Sequence, residues 1–518
     1  MGPMVQGASS RRLLALGVLL LSAWVLSRHG VEAKLTHDDG VVVYSAQQMA
    51  LGVPPYRSLF DHKAPLTTLV CALPVALAGQ LGVVARLAVR LFLLAVSSGV
   101  LGLLFLLVDD LFDSRRQAVL TCAVFLGLWG YGVQAASGAF PKTLALLLAL
   151  ASLLATTRRG WAVAGACSAL ALLAWQPLGI YLLVALVVAW SHRGVDGPEA
   201  RAPLHVVLGA AVPLTAVVAY FATHGALRDL ADGLLLFNLT YLEPTQSLDR
   251  RIEFIGLALL SFRWMGYALL VGILALLPLY ATRWRASRAE GRPPLTDRFA
   301  PLLLTLPAPF VWSLVDFQAY PDMFIFLPYG TIGFAWVLHL GILQLGAAGR
   351  NGPANGAAAR AATRVHAVLI VTTVLLSAHF YAAAAPRGEL DEQSRVWRDV
   401  IAGLPPDARI ATVGAPHVLA LTRTRNLTRY GTVWRGIERY IDDRYPGGFQ
   451  GWLDTLSRAD LLLVDGVHPG SWDRDRQREW FRFLTTHFER RARIDRVNVF
   501  VREEGGGDSP TGPGLPPE

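Results

Sequence analysis

Apolar runs close to the length needed to cross a bilayer recur along the chain. They predict spans at 13–28, 87–108, 118–136, 143–157, 161–176, 178–191, 204–223, 257–281, 299–315, 323–345 and 365–385. Several fall short of the roughly 20 residues that a crossing needs. The first run follows Arg11 and Arg12 and leads into Ser27-Arg28-His29-Gly30, with no small-residue cleavage site. It reads as a retained span. Residues 64–80 are apolar too, but carry two prolines and end in polar residues. Counting them as a span would give twelve crossings.

Arginine placement decides between eleven and twelve, because cytoplasmic loops collect Lys and Arg. With eleven spans and the N-terminus inside, the inner loops are 1–12, 109–117, 158–160, 192–203, 282–298 and 346–364. They hold 16 of the 27 basic residues that precede residue 386. The segment 64–80 then becomes a juxtamembrane helix on the outer face. The outer segments are 29–86, 137–142, 224–256, 316–322 and everything after 385. The expectation is an α-helical polytopic membrane protein, with residues 1–385 as the membrane module and 29–86 as its first outer loop. Multi-pass residence in the cell membrane follows, with the C-terminal domain extracytoplasmic.

Residues 386–506 change character. RIATVG (409–414) and ADLLLVDG (459–466) are apolar runs ending in glycine, as buried strands do before a turn. DEQSRVWRDVIAGL and RDRQREWFRFLTTHF have helical spacing. These predict a small extracytoplasmic α/β domain. The Gly/Pro-rich stretch 507–518 is predicted to be disordered, and the Ala/Gly-rich 346–362 to be a linker.

Composition agrees with this picture. Hydrophobic residues make up 53% of the 518, and charged residues only 16%, where a soluble chain carries about a quarter. A single soluble enzyme, a disordered chain and a disulfide scaffold are excluded. The net charge of +9 lies entirely before residue 386, which fits loop arginines rather than nucleic-acid binding. Cys71, Cys122 and Cys167 sit in apolar runs without metal or redox spacing and read as buried small hydrophobes.

Candidate chemistry gathers in the first outer loop, THDDGVVVYSAQQMALGVPPYRSLFDHKAPL (36–66). An acidic pair at a loop start, Asp38-Asp39, is in itself an ordinary solvated loop end. Asp61-His62-Lys63 directly before Ala-Pro and an apolar helix is less ordinary, since ionisable residues at a membrane interface call for a charged partner. A carboxylate near an acceptor hydroxyl can act as general base. A lysine suits a leaving phosphate, whose developing charge needs fixed positive charge. Arg86, Lys142, Arg250 and Arg251 are further cations on the same predicted face. Asp316, Tyr320 and Asp322 either solvate a turn or line a sugar pocket. Trp175, Trp264 and Trp312 read as interface anchors.

This pattern resembles the first outer loop of the GT-C superfamily, the polytopic glycosyltransferases that use polyprenyl-phosphate-linked sugars. Within it, the likeness is to the ArnT-like and dolichyl-phosphate-mannose mannosyltransferase-like branches. The matching positions are Asp38, Asp39, Gly40, Tyr44, Gly52, Pro54, Tyr56, Asp61, His62, Lys63, Pro65 and Leu66. Arg86 and Arg90 follow, and Gln176-Pro177, Asn238, Tyr241 and PDMFIFLPY (321–329) are later echoes. The acidic pair departs from the usual Asp-Glu.

The resemblance implies an inverting transfer at the outer face, from a polyprenyl-phosphate sugar to a hydroxyl or amine of a lipid, glycan or protein acceptor. It implies catalytic roles for Asp38 and Asp39, with Asp38 the base. Asp61, His62, Lys63, Arg86, Lys142, Arg250, Arg251 and Tyr320 would bind donor phosphate and sugar. No cofactor is required by it, although His37, Asp38, Asp39 and His62 together offer ligands for a divalent metal. Two other functions stay open from the residues alone: a flippase for lipid-linked sugars, and a non-catalytic glycan-binding member. A transporter would place charge at mid-membrane between repeated halves. The chain shows no such repeat.

Overall fold

The computed structural model describes residues 2–81, 84–137, 141–193, 198–241, 247–291, 293–318, 320–348 and 355–502. The chain packs as two compact units. One comprises Met1–Val31, Arg90–Val217 and Gln246–Pro386; the other comprises Glu32–Val89, Val218–Thr245 and Arg387–Glu518.

Among the described residues, six helices are long and apolar enough to cross a membrane: Ser9–Leu26, Ala85–Phe112, Glu199–Thr223, Trp264–Ala289, Tyr320–Gln344 and Arg360–Ala383. Pro141–Thr157, Trp161–Ala174, Gln176–Ser191 and Ala300–Val315 are shorter apolar helices. Leu13, Leu20, Val212, Val368 and Leu375 remain exposed on the long helices. Helices can present such a surface to lipid because their backbone groups are satisfied internally.

Helix contacts in this unit rest on glycine. A Cβ added to Gly272 would lie 1.8 Å from Gly330 O, and one on Gly333 would lie 1.9 Å from Gly272 O. Trp264–Ala289 and Leu327–Ala348 therefore touch backbone to backbone. Gly165 and Gly209 do the same for Trp161–Ala174 and Ala202–Thr223. Small residues permit this close packing, which is the main attraction between helices in lipid.

Two expected spans are interrupted. The run 118–136 is divided into Arg115–Leu126 and Trp129–Ser137. Tyr381 Oη donates to the carbonyls of Leu126 (2.9 Å) and Leu128 (3.2 Å) on either side of the break. The run 257–281 is divided into Leu248–Ser261 and Trp264–Ala289. Arg263 at that break has φ 55°, and its guanidinium lies 4.7 Å over Trp129. Helices Leu327–Ala348 and Asn355–Ala383 also take up most of the expected linker 346–362. Its residues 349–354 lie outside the described residues, as do 503–518 with the expected disordered tail. Cys71 and Cys122 are buried and Cys167 is partly so; all three are free thiols.

Ion pairs knit one end of this unit. Arg11 binds Asp109 at 2.9 Å, Arg158 binds Asp110 at 2.6 Å, Arg298 binds Asp113 at 2.6 Å and Arg159 binds Glu199 at 2.8 Å. These residues come from five of the loops that the arginine count groups on one side.

The second unit is built on a four-stranded mixed sheet of order β1-β2-β4-β3. Strand β1 (Ile410–Val413) runs parallel to β2 (Leu461–Asp465), and β4 (Val497–Arg502) lies antiparallel to both β2 and β3 (Phe488–Ile494). Both apolar runs ending in glycine are thus fully buried strands. Helices Glu389–Ala402 and Arg474–His487 match the two amphipathic stretches. The core joins sequence-distant residues: Phe60, Phe237 and Tyr241 pack with Tyr430, Tyr440, Trp452, Trp472 and Trp480. Phe60 stacks on Tyr440 with centroids 4.7 Å apart. Residues of the first loop thus belong to the core of the sheet-bearing unit.

Candidate active site

Thr36 starts the helix His37–Ala50. Its φ of −80° and ψ of 172° are extended, and its side chain accepts from Asp39 N. Asp39 Oδ2 in turn accepts from Thr36 N–H at 3.1 Å and Thr36 Oγ1 at 2.8 Å. This capping box satisfies donors that a helix start leaves open. It occupies the Asp39 carboxylate, which is 1% exposed. The side chain of Asp38, next to it, is 46% exposed. Gly40 lets the helix pack against the helix Pro416–Thr422 that follows β1, because a Cβ there would lie 2.2 Å from His417 N.

The returning loop is built to present Lys63. Gly52 turns the chain at φ 83°, and Tyr56, a buried non-glycine residue, is held at φ 67°. Such strain persists only where the surroundings enforce it. Tyr56 Oη donates to Lys63 O at 2.8 Å. Asp61 Oδ1 accepts the amides of His62 (2.8 Å) and Lys63 (3.3 Å). Asn238 Nδ2 closes the turn by donating to His62 O at 2.9 Å, and to Gly233 O and Leu234 O. Arg57 and Arg429 both bind Asp229 at 2.8 Å, tying the loop to two other segments.

The outcome is a contact between Lys63 Nζ and Asp38 Oδ1 at 2.9 Å. The Lys63 ammonium holds the Asp38 carboxyl well below the usual carboxylate range, with His37 adding to the effect. Burial pushes Lys63 down, but Asp38 and Asp61 outweigh it and raise the lysine above its ordinary value. Asp38 is therefore a fixed anion and Lys63 a fixed cation at neutral pH.

The other candidates have different partners. Arg86 binds Asp391 at 2.9 Å. Lys142, Arg250, Arg251 and Tyr320 belong to the membrane-helix unit. There, Lys142 pairs with the buried Asp322 and lies 5.5 Å over Trp175. Arg250 binds Glu253 at 2.9 Å, and Arg251 donates to Leu314 O. Tyr320 meets Phe262 edge-on at 6.2 Å. Among the described residues, no group of three or more His, Cys, Asp or Glu is arranged to hold a metal ion. A cleft of about 660 Å³, lined by Pro405, Arg409, Arg425 and Asn426 among others, includes none of the site residues.

Sequence reasoning missed the residues that flank His37. His417 and His468 follow the carboxyl ends of the adjacent parallel strands β1 and β2. Open α/β sheets place ligands at that edge, and this was the available signal. Trp434 gave no signal of its own.

No protein-family model and no curated protein matches the chain. Solved structures do. ArnT from Cupriavidus metallidurans bound to undecaprenyl phosphate is 15% identical, with a TM-score of 0.55, covering 97% of this chain and 100% of that one. The apo state of the same protein matches at 14% identity and a TM-score of 0.55, over 95% and 98% of the two chains. The oligosaccharyltransferase AglB from Archaeoglobus fulgidus, in complex with an inhibitory peptide and a dolichol-phosphate, is 12% identical. It has a TM-score of 0.51 and covers 88% of this chain and 69% of that one. At such identities the likeness speaks to architecture alone: the chain shares the fold of ArnT and AglB.

Proposed function

We propose that the chain is a membrane glycosyltransferase that moves a sugar from a polyprenyl-phosphate donor to an acceptor hydroxyl or amine. The observation that carries this reading is the pair of Asp38 and Lys63 at 2.9 Å, in a fold shared with a protein bound to undecaprenyl phosphate. Lys63 meets the donor phosphate. The acceptor oxygen or nitrogen attacks the anomeric carbon from the face opposite the phosphate, so configuration inverts. The bond from that carbon to the phosphate oxygen breaks with its electron pair. Lys63 balances the charge that develops there, and Asp38 takes the acceptor proton. Donor phosphate competes with Asp38 for Lys63, so docking frees the carboxylate from its strongest partner and makes it a better base. Lys63 supplies the positive charge, and the reading invokes no metal. Asp39 orients the helix start.

The topology that serves this chemistry has the N-terminus inside and the Asp38 loop and C-terminal segment outside, with eleven spans. The ion pairs that gather loops 1–12, 109–117, 158–160, 192–203 and 282–298 at one end support it. The test is incubation of the purified full chain with labelled polyprenyl-phosphate sugars and candidate acceptors. Labelled product with release of polyprenyl phosphate is expected. Movement of the lipid-linked sugar across vesicles without transfer would favour a flippase instead.

A further inference from the structure

His37 precedes Asp38 in the chain, and its surroundings come from the C-terminal segment. Its Nδ1 lies 3.5 Å from Asp38 Oδ1. Its ring lies 4.7 Å from that of His468 and meets Trp434 edge-on at 5.7 Å. Trp434 covers His468, with centroids 3.9 Å apart. His468 is 1% exposed. Its Nδ1 accepts from Val433 N–H at 3.2 Å, which assigns the ring proton to Nε2. Nε2 of His468 and Nε2 of His37 are buried with no hydrogen-bond partner. Burial keeps His468 neutral at physiological pH, with His37 adding to the effect.

Lys63 and His37 both reach the same carboxylate oxygen, Oδ1. Two grips on one oxygen hold the carboxylate while the other, Oδ2, is left to take the acceptor proton. We propose that His37 is a positioning residue for Asp38, and that Trp434 and His468 hold it in that role. The inference rests on the reading of Asp38 as base. When donor phosphate takes Lys63, His37 is the grip that remains. The sheet-bearing C-terminal segment thereby gains a task in the reaction: it fixes the imidazole that fixes the base. The charged and titratable groups around the pair are Lys63 with Asp61 and Asp39, the imidazoles of His468 and His417, and Arg496 and Asp495 beyond them.

The test is the pH dependence of kcat at saturating donor for His37→Phe, His37→Asn and Trp434→Ala in the full chain. Loss of the imidazole contact removes a group that favours the Asp38 anion. The acid limb of His37→Phe should move to higher pH by about half a unit. Its kcat at neutral pH should fall roughly 10- to 100-fold, with donor affinity unchanged. His37→Asn, which keeps an amide donor, should recover part of both. Trp434→Ala should shift the limb in the same direction by less. A kcat loss with an unmoved acid limb would mean packing alone and overturn the proposal, as would a wild-type profile in His37→Phe. Inactivity of the wild-type chain with every donor would instead remove the glycosyltransferase reading. The contact is then judged by ¹⁵N spectra of labelled histidine. Asp38→Asn and Trp434→Ala should each displace the His37 Nδ1 resonance, and no displacement would overturn the inference.

Discussion

Lys63 and Asp38 are 25 residues apart in the sequence, and their side chains meet at 2.9 Å. In the proposed transfer, the pair would supply a cation for the leaving phosphate and a carboxylate for the acceptor proton. It also makes each group's behaviour depend on the other.

Lys63→Ala should weaken donor binding by roughly 10- to 150-fold, the equivalent of about 1.5–3 kcal/mol for a charge-assisted contact. It should also change the pH profile of kcat/KM. Lys63 is the largest influence that holds the Asp38 carboxyl below its ordinary range. Without it, Asp38 gains a proton at a higher pH, and the acid limb moves upward. Donor titrations and a pH series on the variant check both outcomes.

Asn238→Ala tests the turn that presents Lys63. The amide holds three carbonyls, among them His62 O at 2.9 Å. Leaving partly buried carbonyls unmet costs about 1–3 kcal/mol. Thermal unfolding in detergent should show the loss, and transfer should fall because the turn loosens.

Burial pushes the His417 imidazole down to about 4. The unfolded chain would bind this proton near the ordinary histidine value of about 6.5. Between these values the unfolded state holds more protons, so stability rises with pH across the window and is lost as pH falls from 6.5 to 4. The loss attributable to His417 is about 3 kcal/mol below pH 4. Unfolding measured from pH 7 to 4 should show it, and His417→Gln should flatten the slope.

The topology makes its own prediction. A reporter active only outside the cytoplasm, fused after residue 504, should be active. Cytoplasmic reporter activity there would overturn the eleven-span arrangement and the juxtamembrane placement of Leu66–Leu81.

Much of this was legible in the sequence because burial leaves a periodic or continuous apolar trace. Strands β1 and β2 announced themselves as apolar runs ending in glycine. Strand β3, Phe488–Ile494, did not, since its central residues are charged and exposed. The breaks at 127–128 and 262–263 were hidden because the apolar runs continue through them. One of them is bridged by Tyr381, some 250 residues away. In the site, Asp38 and Lys63 stood out as charges beside apolar helices. The task of Asp39 was not visible, because a capping box and a catalytic pair look alike as Asp-Asp after threonine. Trp434 and His468 reach His37 only through the tertiary fold.

The most direct test of the account is the transfer rate of Asp38→Asn, measured beside Asp39→Asn and wild type with a saturating polyprenyl-phosphate sugar. Asn at position 38 keeps the size of the side chain and removes the charge. General-base catalysis contributes about 100- to 10,000-fold, so transfer should fall by that order while donor still binds. Asp39→Asn should be milder, losing mainly the stability of a helix cap, about 0.5–2 kcal/mol. Near-normal turnover in Asp38→Asn would contradict the account: with Asp39→Asn inactive the two roles would be exchanged, and with both active the mechanism would be wrong.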